Sequence, residues 1–136
     1  MHMYNVAQVL LEKGHKVIVL TSSYNERTGV RYISNGLKVY YLPVVAMARQ
    51  TSFVDLLTWK LPIFRYIWIK EEIDIVHGHQ AASVLMIASL VSATLMGLRT
   101  VFTDHSLFGF ADAASIQLNK VIKWAVTPVD AVICVS

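Results

Sequence analysis

The sequence predicts an α/β protein built on a Rossmann-like, doubly wound parallel sheet, and three observations point that way. Helical and extended patterns alternate along most of the 136 residues. The extended runs, such as Thr100-Val101-Phe102 and Ala131-Val132-Ile133, are almost continuously apolar. That suits strands of a parallel sheet covered on both faces rather than the in-out alternation of an exposed one. Finally, two of these runs stop abruptly at polar side chains, Asp104-His105-Ser106 and His77-Gly78-His79. In open parallel sheets ligands bind in the crevice outside the carboxyl ends of the strands, so these junctions mark the candidate site.

Each element has its own signals. Met3, Val6, Val9 and Leu10 recur at helical spacing, and Gly14 follows where a left-handed cap is needed, so the chain opens inside a helix. His15 to Thr21 reads as a strand, Ser22 to Gly29 as a polar loop, and Asn35-Gly36 as the strongest turn signal present. The turn leads into a strand from Leu37 to Leu42, stopped by Pro43 and adjacent to the preceding strand. From Phe53 to Glu72 the pattern is helical, with Pro62 fitting best at the start of a second helix. Ile73 to Val76 is the next strand, Ala81 to Met96 a buried helix ended by Gly97, and Arg99 to Thr103 another strand. A helix from Ala113 to Val126, closed by Pro128, and a strand from Asp130 to Val135 complete the chain. A Rossmann-like half normally begins with a central strand whose Gly-rich turn feeds the first helix. Here the helix comes first, so two inner strands should each lack a neighbour.

Composition narrows the functional classes. A formal charge of +3 is too small to argue for nucleic acid. The single cysteine, Cys134, excludes an intrachain disulfide, and its apolar run suggests small core filler. Ala81 to Leu98 is uncharged over the lower limit of a membrane span, but its Ala, Ser and Thr content and its place between strands favour a helix buried on a sheet. No complete Walker A or Gly-x-Gly-x-x-Gly pattern is present.

Two strand ends delivering three histidines suggest one shared pocket. His105 is the candidate catalytic residue. It could bind a substrate hydroxyl or phosphate oxygen or stabilise developing charge, the alternative being a histidine that bonds loop carbonyls. Asp104 either orients it or caps the following segment. His77, His79, Asp104, Ser106 and Phe108 form the candidate substrate-binding set. The short His77-Gly78-His79 segment is expected to turn its imidazoles to opposite faces, one toward the cleft and one into packing. Phe108 and Phe110 could wall a sugar or lipid, although packing is their default. A metal site is not expected, because no carboxylate or cysteine accompanies the histidines at ligand spacing. Trp59, Lys60, Arg65, Tyr66, Trp68 and Lys70 interleave aromatic and basic side chains. That suits either an anionic membrane surface or helices with one buried and one solvated face.

The runs Gly14 to Val19, Gly36 to Pro43 and especially Thr100-Val101-Phe102-Thr103-Asp104-His105-Ser106-Leu107-Phe108-Gly109-Phe110-Ala111-Asp112 resemble the catalytic-subunit family of phosphatidylinositol N-acetylglucosaminyltransferase, which begins GPI-anchor biosynthesis. The last run is specific to that family. The His77-x-His79 and Thr103-x-His105 features belong more broadly to retaining family 4 glycosyltransferases of GT-B fold. The resemblance extends over essentially the whole chain. It implies that residues 1–136 are a partial acceptor-side domain, the amino-terminal half of a GT-B enzyme without its first strand. It further implies transfer of N-acetylglucosamine from UDP-N-acetylglucosamine to phosphatidylinositol, without metal or other cofactor, and His105 matches the family's histidine close to the transferred sugar. Partners implied are the acceptor lipid, the other subunits of a complex and the membrane surface, at the cytoplasmic face of the endoplasmic reticulum membrane. The family's nucleotide-binding half, with its basic pair for the diphosphate and its acidic motif, does not occur in these residues. Catalysis by them alone is therefore not expected, and the alternative role is a non-catalytic binding or assembly module of the same complex.

Overall fold

The computed structural model describes residues 2–23, 27–43, 60–81, 83–105 and 113–134, which fall into two compact units, Met1–Arg49 and Gln50–Ser136. In the first, helix α1 (His2–Glu12) is followed by strands β1 (Ile18–Ser23), β2 (Gly29–Ile33) and β3 (Leu37–Pro43). β3 is central. It pairs in parallel with β1, Ile18 opposite Lys38, and antiparallel with β2, Ile33 opposite Leu37. The apolar stripe of α1 supplies Ala7 and Leu11 to a core with Leu37, Val39, Val17 and Val19. The predicted β1 and β3 and their adjacency are present. β2 is an addition to the predicted elements. Its five residues are all exposed, so they carry neither the alternation nor the apolar run by which a strand is recognised. What does announce it is Asn35-Gly36. Both residues have positive φ, 58° and 73°, and the Asn35 amide donates to Gln8 Oε1 of α1.

The second unit runs α2 (Lys60–Lys70), β4 (Ile75–His79), α3 (Val84–Leu95), β5 (Arg99–Asp104), α4 (Ala113–Val126) and β6 (Ala131–Cys134). Its sheet has the order β4-β5-β6 and is parallel throughout, so β4-α3-β5 and β5-α4-β6 are successive crossover units. This is the Rossmann-like α/β arrangement expected. Among the described residues β1, β2, β4 and β6 each have a single strand partner. α3 is buried along most of its length, through Met86, Ile87, Ala88, Leu90 and Ala93, against α2 and β4. Ser83 caps it by accepting from the Met86 N–H at 3.3 Å. No described helix is long and apolar enough to cross a membrane.

α1, α2 and α3 all end in the same motif. A left-handed residue, Gly14, Glu72 or Gly97, follows the helix, and the next N–H reaches back five residues, from His15 to Leu10, Ile73 to Trp68 and Leu98 to Ala93. The α2 motif moves a strand boundary. Because Ile73 closes the cap, β4 begins at Ile75 and continues through His79, rather than stopping at Val76. Pro62 lies in the first turn of α2, where it withholds no helical hydrogen bond. Cys134 is exposed rather than core filler. It lies on an edge strand whose four residues are all solvent-accessible.

Candidate functional site

The parallel register aligns His77 with Val101 and His79 with Thr103. Side chains two apart on a strand share a face, so His77 and His79 stand on the same side of the sheet, which corrects the expectation that they diverge. Their ring centroids are 4.2 Å apart at a 31° tilt. The intervening Gly78 belongs to the opposite face, against Met86 and Leu90 of α3.

His105 follows β5 immediately and is exposed. Its Nε2 lies 3.3 Å from Nδ1 of the half-buried His79, and the two rings are near-parallel with centroids 5.6 Å apart. At the other end of the row, His77 Nε2 is 2.7 Å from Thr103 Oγ1. Thr103 is 2 % exposed, so this hydroxyl is fixed by the sheet rather than by solvent. The three histidines are thus one row across the carboxyl ends of two strands. Asp104, half-buried at the last position of β5, alternates with Thr103 and so belongs to the other face of that strand.

Ser106, Phe108 and Phe110 lie outside the described residues, as does Trp59. What sequence reasoning passes over is the part Thr103 takes in the site, through its contact with His77. Its position two before His105 on the same strand is the available signal, because that spacing repeats the face. The turn leaving β4 is also unforeseen. Gln80 has a φ of 67°, donates its N–H to the Thr103 carbonyl at 3.2 Å and accepts from the Ser83 N–H at 3.1 Å.

The histidines form a surface cluster. A cavity of about 320 Å³ in the same unit lies elsewhere, lined by Val91, Thr94, Leu95, Trp124, Ala125 and Pro128 near the carboxyl ends of α3 and α4. That is the opposite end of the crossover units from His79 and His105. No group of three His, Cys, Asp or Glu side chains among the described residues is arranged to hold a metal ion. On α2, Phe64, Ile67 and Trp68 are buried, with Phe64 and Trp68 stacked at 5.7 Å, while Arg65, Tyr66, Ile69 and Lys70 are exposed. The helix therefore has one buried and one solvated face. Trp68 belongs to the core rather than to the basic aromatic surface.

Comparison with known proteins places the chain in a family. The family model described as PIGA (GPI anchor biosynthesis) matches residues 22–112. The chain is 51 % identical over 135 residues to the phosphatidylinositol N-acetylglucosaminyltransferase gpi3 subunit of Schizosaccharomyces pombe. It is 50 % identical to the corresponding phosphatidylinositol N-acetylglucosaminyltransferase subunit of Arabidopsis thaliana and 46 % identical to that of Homo sapiens. These alignments take in 99 % of this chain but 28–30 % of each relative, so the chain spans about three-tenths of their length. With the family model matching most of its residues, and with the Thr103-x-His105 and His77-x-His79 strand ends adjacent in its sheet, this chain belongs to the PIGA family of GPI-anchor biosynthesis.

Proposed function

We propose that this chain forms the acceptor side of a retaining glycosyltransferase that moves N-acetylglucosamine from UDP-N-acetylglucosamine to the inositol of phosphatidylinositol. The observation that carries the reading is the row of three histidines across the carboxyl ends of β4 and β5, in a chain of this family. His105, exposed at the strand tip, is assigned as the catalytic residue. Its imidazole binds a hydroxyl of the transferred sugar and stabilises charge developing there as the diphosphate leaves. His77 and His79 form the wall behind it, and Ser106 and Phe108 are assigned to the substrate side, while Asp104, on the other face of β5, is left with the structural role. The reaction as proposed needs no metal. Stabilising the departing diphosphate is assigned to the family's nucleotide-binding half, so the 136 residues alone are expected to transfer no sugar.

The setting proposed is the cytoplasmic face of the endoplasmic reticulum, in a complex with other subunits. The solvated face of α2 suits contact with an anionic lipid surface, since Arg65 and Lys70 flank the exposed Tyr66 and Ile69, and the Lys70 ammonium lies over the Tyr66 ring. A second reading, a non-catalytic assembly module, is favoured by the apolar groove at α3 and α4, where Leu95 and Trp124 are 74 % and 61 % exposed.

The test is His105→Ala in the full-length protein, assayed for sugar transfer to phosphatidylinositol in membranes containing the assembled complex. Turnover should fall at least about 100-fold, the cost typical of losing one group that stabilises transition-state charge, with subunit assembly intact. Unaltered turnover would remove the catalytic assignment. Assembly with normal turnover in every histidine variant would favour the second reading.

A further inference from the structure

We propose that His79, His77 and Thr103 are positioning residues that hold the ring of His105 in one orientation and one tautomer; the proposal rests on His105 being the catalytic residue. An exposed imidazole just beyond a strand end is, by itself, free to sample rotamers, and a sugar hydroxyl needs one particular nitrogen in one particular place. The structure supplies a chain of contacts that ends this freedom. It starts at Thr103, a β-branched side chain with a stiff χ1, 2 % exposed within a central strand. Its hydroxyl, 2.7 Å from His77 Nε2, fixes the first ring. The His79 ring lies against the His77 ring at 4.2 Å and directs Nδ1 to within 3.3 Å of His105 Nε2.

That last contact joins two ring nitrogens. In neutral imidazoles one nitrogen donates and the other accepts, so the contact holds only when one of the two facing nitrogens carries the hydrogen. If His79 Nδ1 donates, His105 Nε2 accepts and His105 carries its proton on Nδ1. If His105 Nε2 donates, the assignment reverses. Either way, the state of His79 decides which nitrogen of His105 presents a hydrogen. The Thr103 hydroxyl acts one step further back and by position alone, because it anchors the His77 ring against which the His79 ring lies. Substrate contact is not required of His77, His79 or Thr103 in this scheme. They act through His105.

The experiment uses the full-length protein in its complex, with turnover and the KM for the nucleotide sugar measured separately. His79→Leu and Thr103→Val should each lower kcat by about 10- to 100-fold, on the scale of losing the orienting partner of a metal-ligating histidine, and should leave KM within about 2-fold. His79→Asn, whose side-chain amide places a polar atom near the position of Nδ1, and Thr103→Ser, which keeps the hydroxyl, should recover most of the loss. In a His105→Ala background, His79→Leu should cost nothing further. Wild-type kcat in His79→Leu and Thr103→Val overturns the proposal, and so does an additive loss in the double variant. If His105→Ala itself turns over normally, the catalytic assignment of the preceding section fails. Loss of turnover in His105→Ala with normal turnover in His79→Leu removes only the positioning role. Poor recovery in Thr103→Ser and His79→Asn alike, with the complex assembled, also counts against it, since both retain the polar atom the scheme requires.

Discussion

Gly78 is where the packing of the second unit is tightest, and Gly78→Ala measures it. A Cβ built there would lie 2.6 Å from Met86 Cγ, 3.1 Å from Leu90 Cδ1 and 3.2 Å from Met86 Sδ. Carbon atoms settle at about 3.5–4.0 Å, so the first contact is about 1 Å too close. Neither neighbour has an open side to retreat to. Met86 is 4 % exposed and Leu90 0 %, and Met86 Cγ is held near its own helix rather than at a flexible tip. Forcing an extra methyl into such a core costs about 1–3 kcal/mol. Gly78 lies outside the positive-φ region, so alanine can adopt its backbone and stiffens the unfolded chain, returning about 0.4–1 kcal/mol. A net loss of about 1–2 kcal/mol follows, or a fall in Tm of roughly 3–8 °C for a chain of this size, read by circular dichroism during heating. Met86→Ala alone should cost about 2–5 kcal/mol through the cavity it leaves. Combined with Gly78→Ala the loss should be smaller than the two single losses added, by at least about 1 kcal/mol, because the new methyl fills part of that void. An unchanged Tm for Gly78→Ala together with additivity in the double variant would refute the close approach of α3 to β4.

Three further predictions concern helix ends and a strand junction. Glu72 holds a φ of 52° at the cap of α2, where Gly14 and Gly97 serve the equivalent positions of α1 and α3, so Glu72→Gly should stabilise the chain by about 0.5–1 kcal/mol in urea unfolding. Ser83→Ala removes the oxygen that accepts from the Met86 N–H and should cost about 1 kcal/mol, measured the same way. Asp130 accepts from the Thr100 backbone N–H at 2.7 Å and from the Thr100 hydroxyl at 3.1 Å, bonds that favour its charged form and hold its pKa below the ordinary 3.8. A depressed carboxyl contributes stability that is whole above its unfolded value and is lost as the pH falls through its folded value. Stability should therefore decline below pH 3.8, and Asp130→Asn should flatten that part of the acid slope; identical slopes would exclude the contribution.

Elements with punctuation at both ends are legible in the sequence. The bounds of α4 match those read from its pattern and Pro128, and α3 and β5 fall within a few residues of theirs because Ser83 and Gly97 are ordinary cap chemistry. β2 is not legible, because a wholly exposed strand on a sheet edge leaves no burial pattern. The start of β4 is misplaced because the left-handed cap of α2 is made by Glu72, a residue type that gives no such signal, rather than by glycine. In the site, the residue types and the shared strand ends can be read off the sequence. The contact between Thr103 and His77 cannot, since it depends on the register of two strands twenty-four positions apart.

That register is what makes the histidine row possible, and it connects the row to Gly78. His79 pairs with Thr103, so His105, two residues on, is its diagonal neighbour across the sheet. Sliding β4 by one residue would carry His77 and His79 to the other face and set Gly78 or Gln80, rather than an imidazole, beside Thr103. What opposes the slide is the requirement that the face against α3 show a glycine at the point where Met86 and Leu90 come closest. Val76 stands two residues before that point, buried on the same face, while a one-residue slip would drive His77 or His79 into the gap that admits no Cβ. The apolar face of β4 therefore sets the alignment of the polar one. A substitution at Gly78 that shifts the strand should disturb the His79 to His105 contact although it touches neither ring.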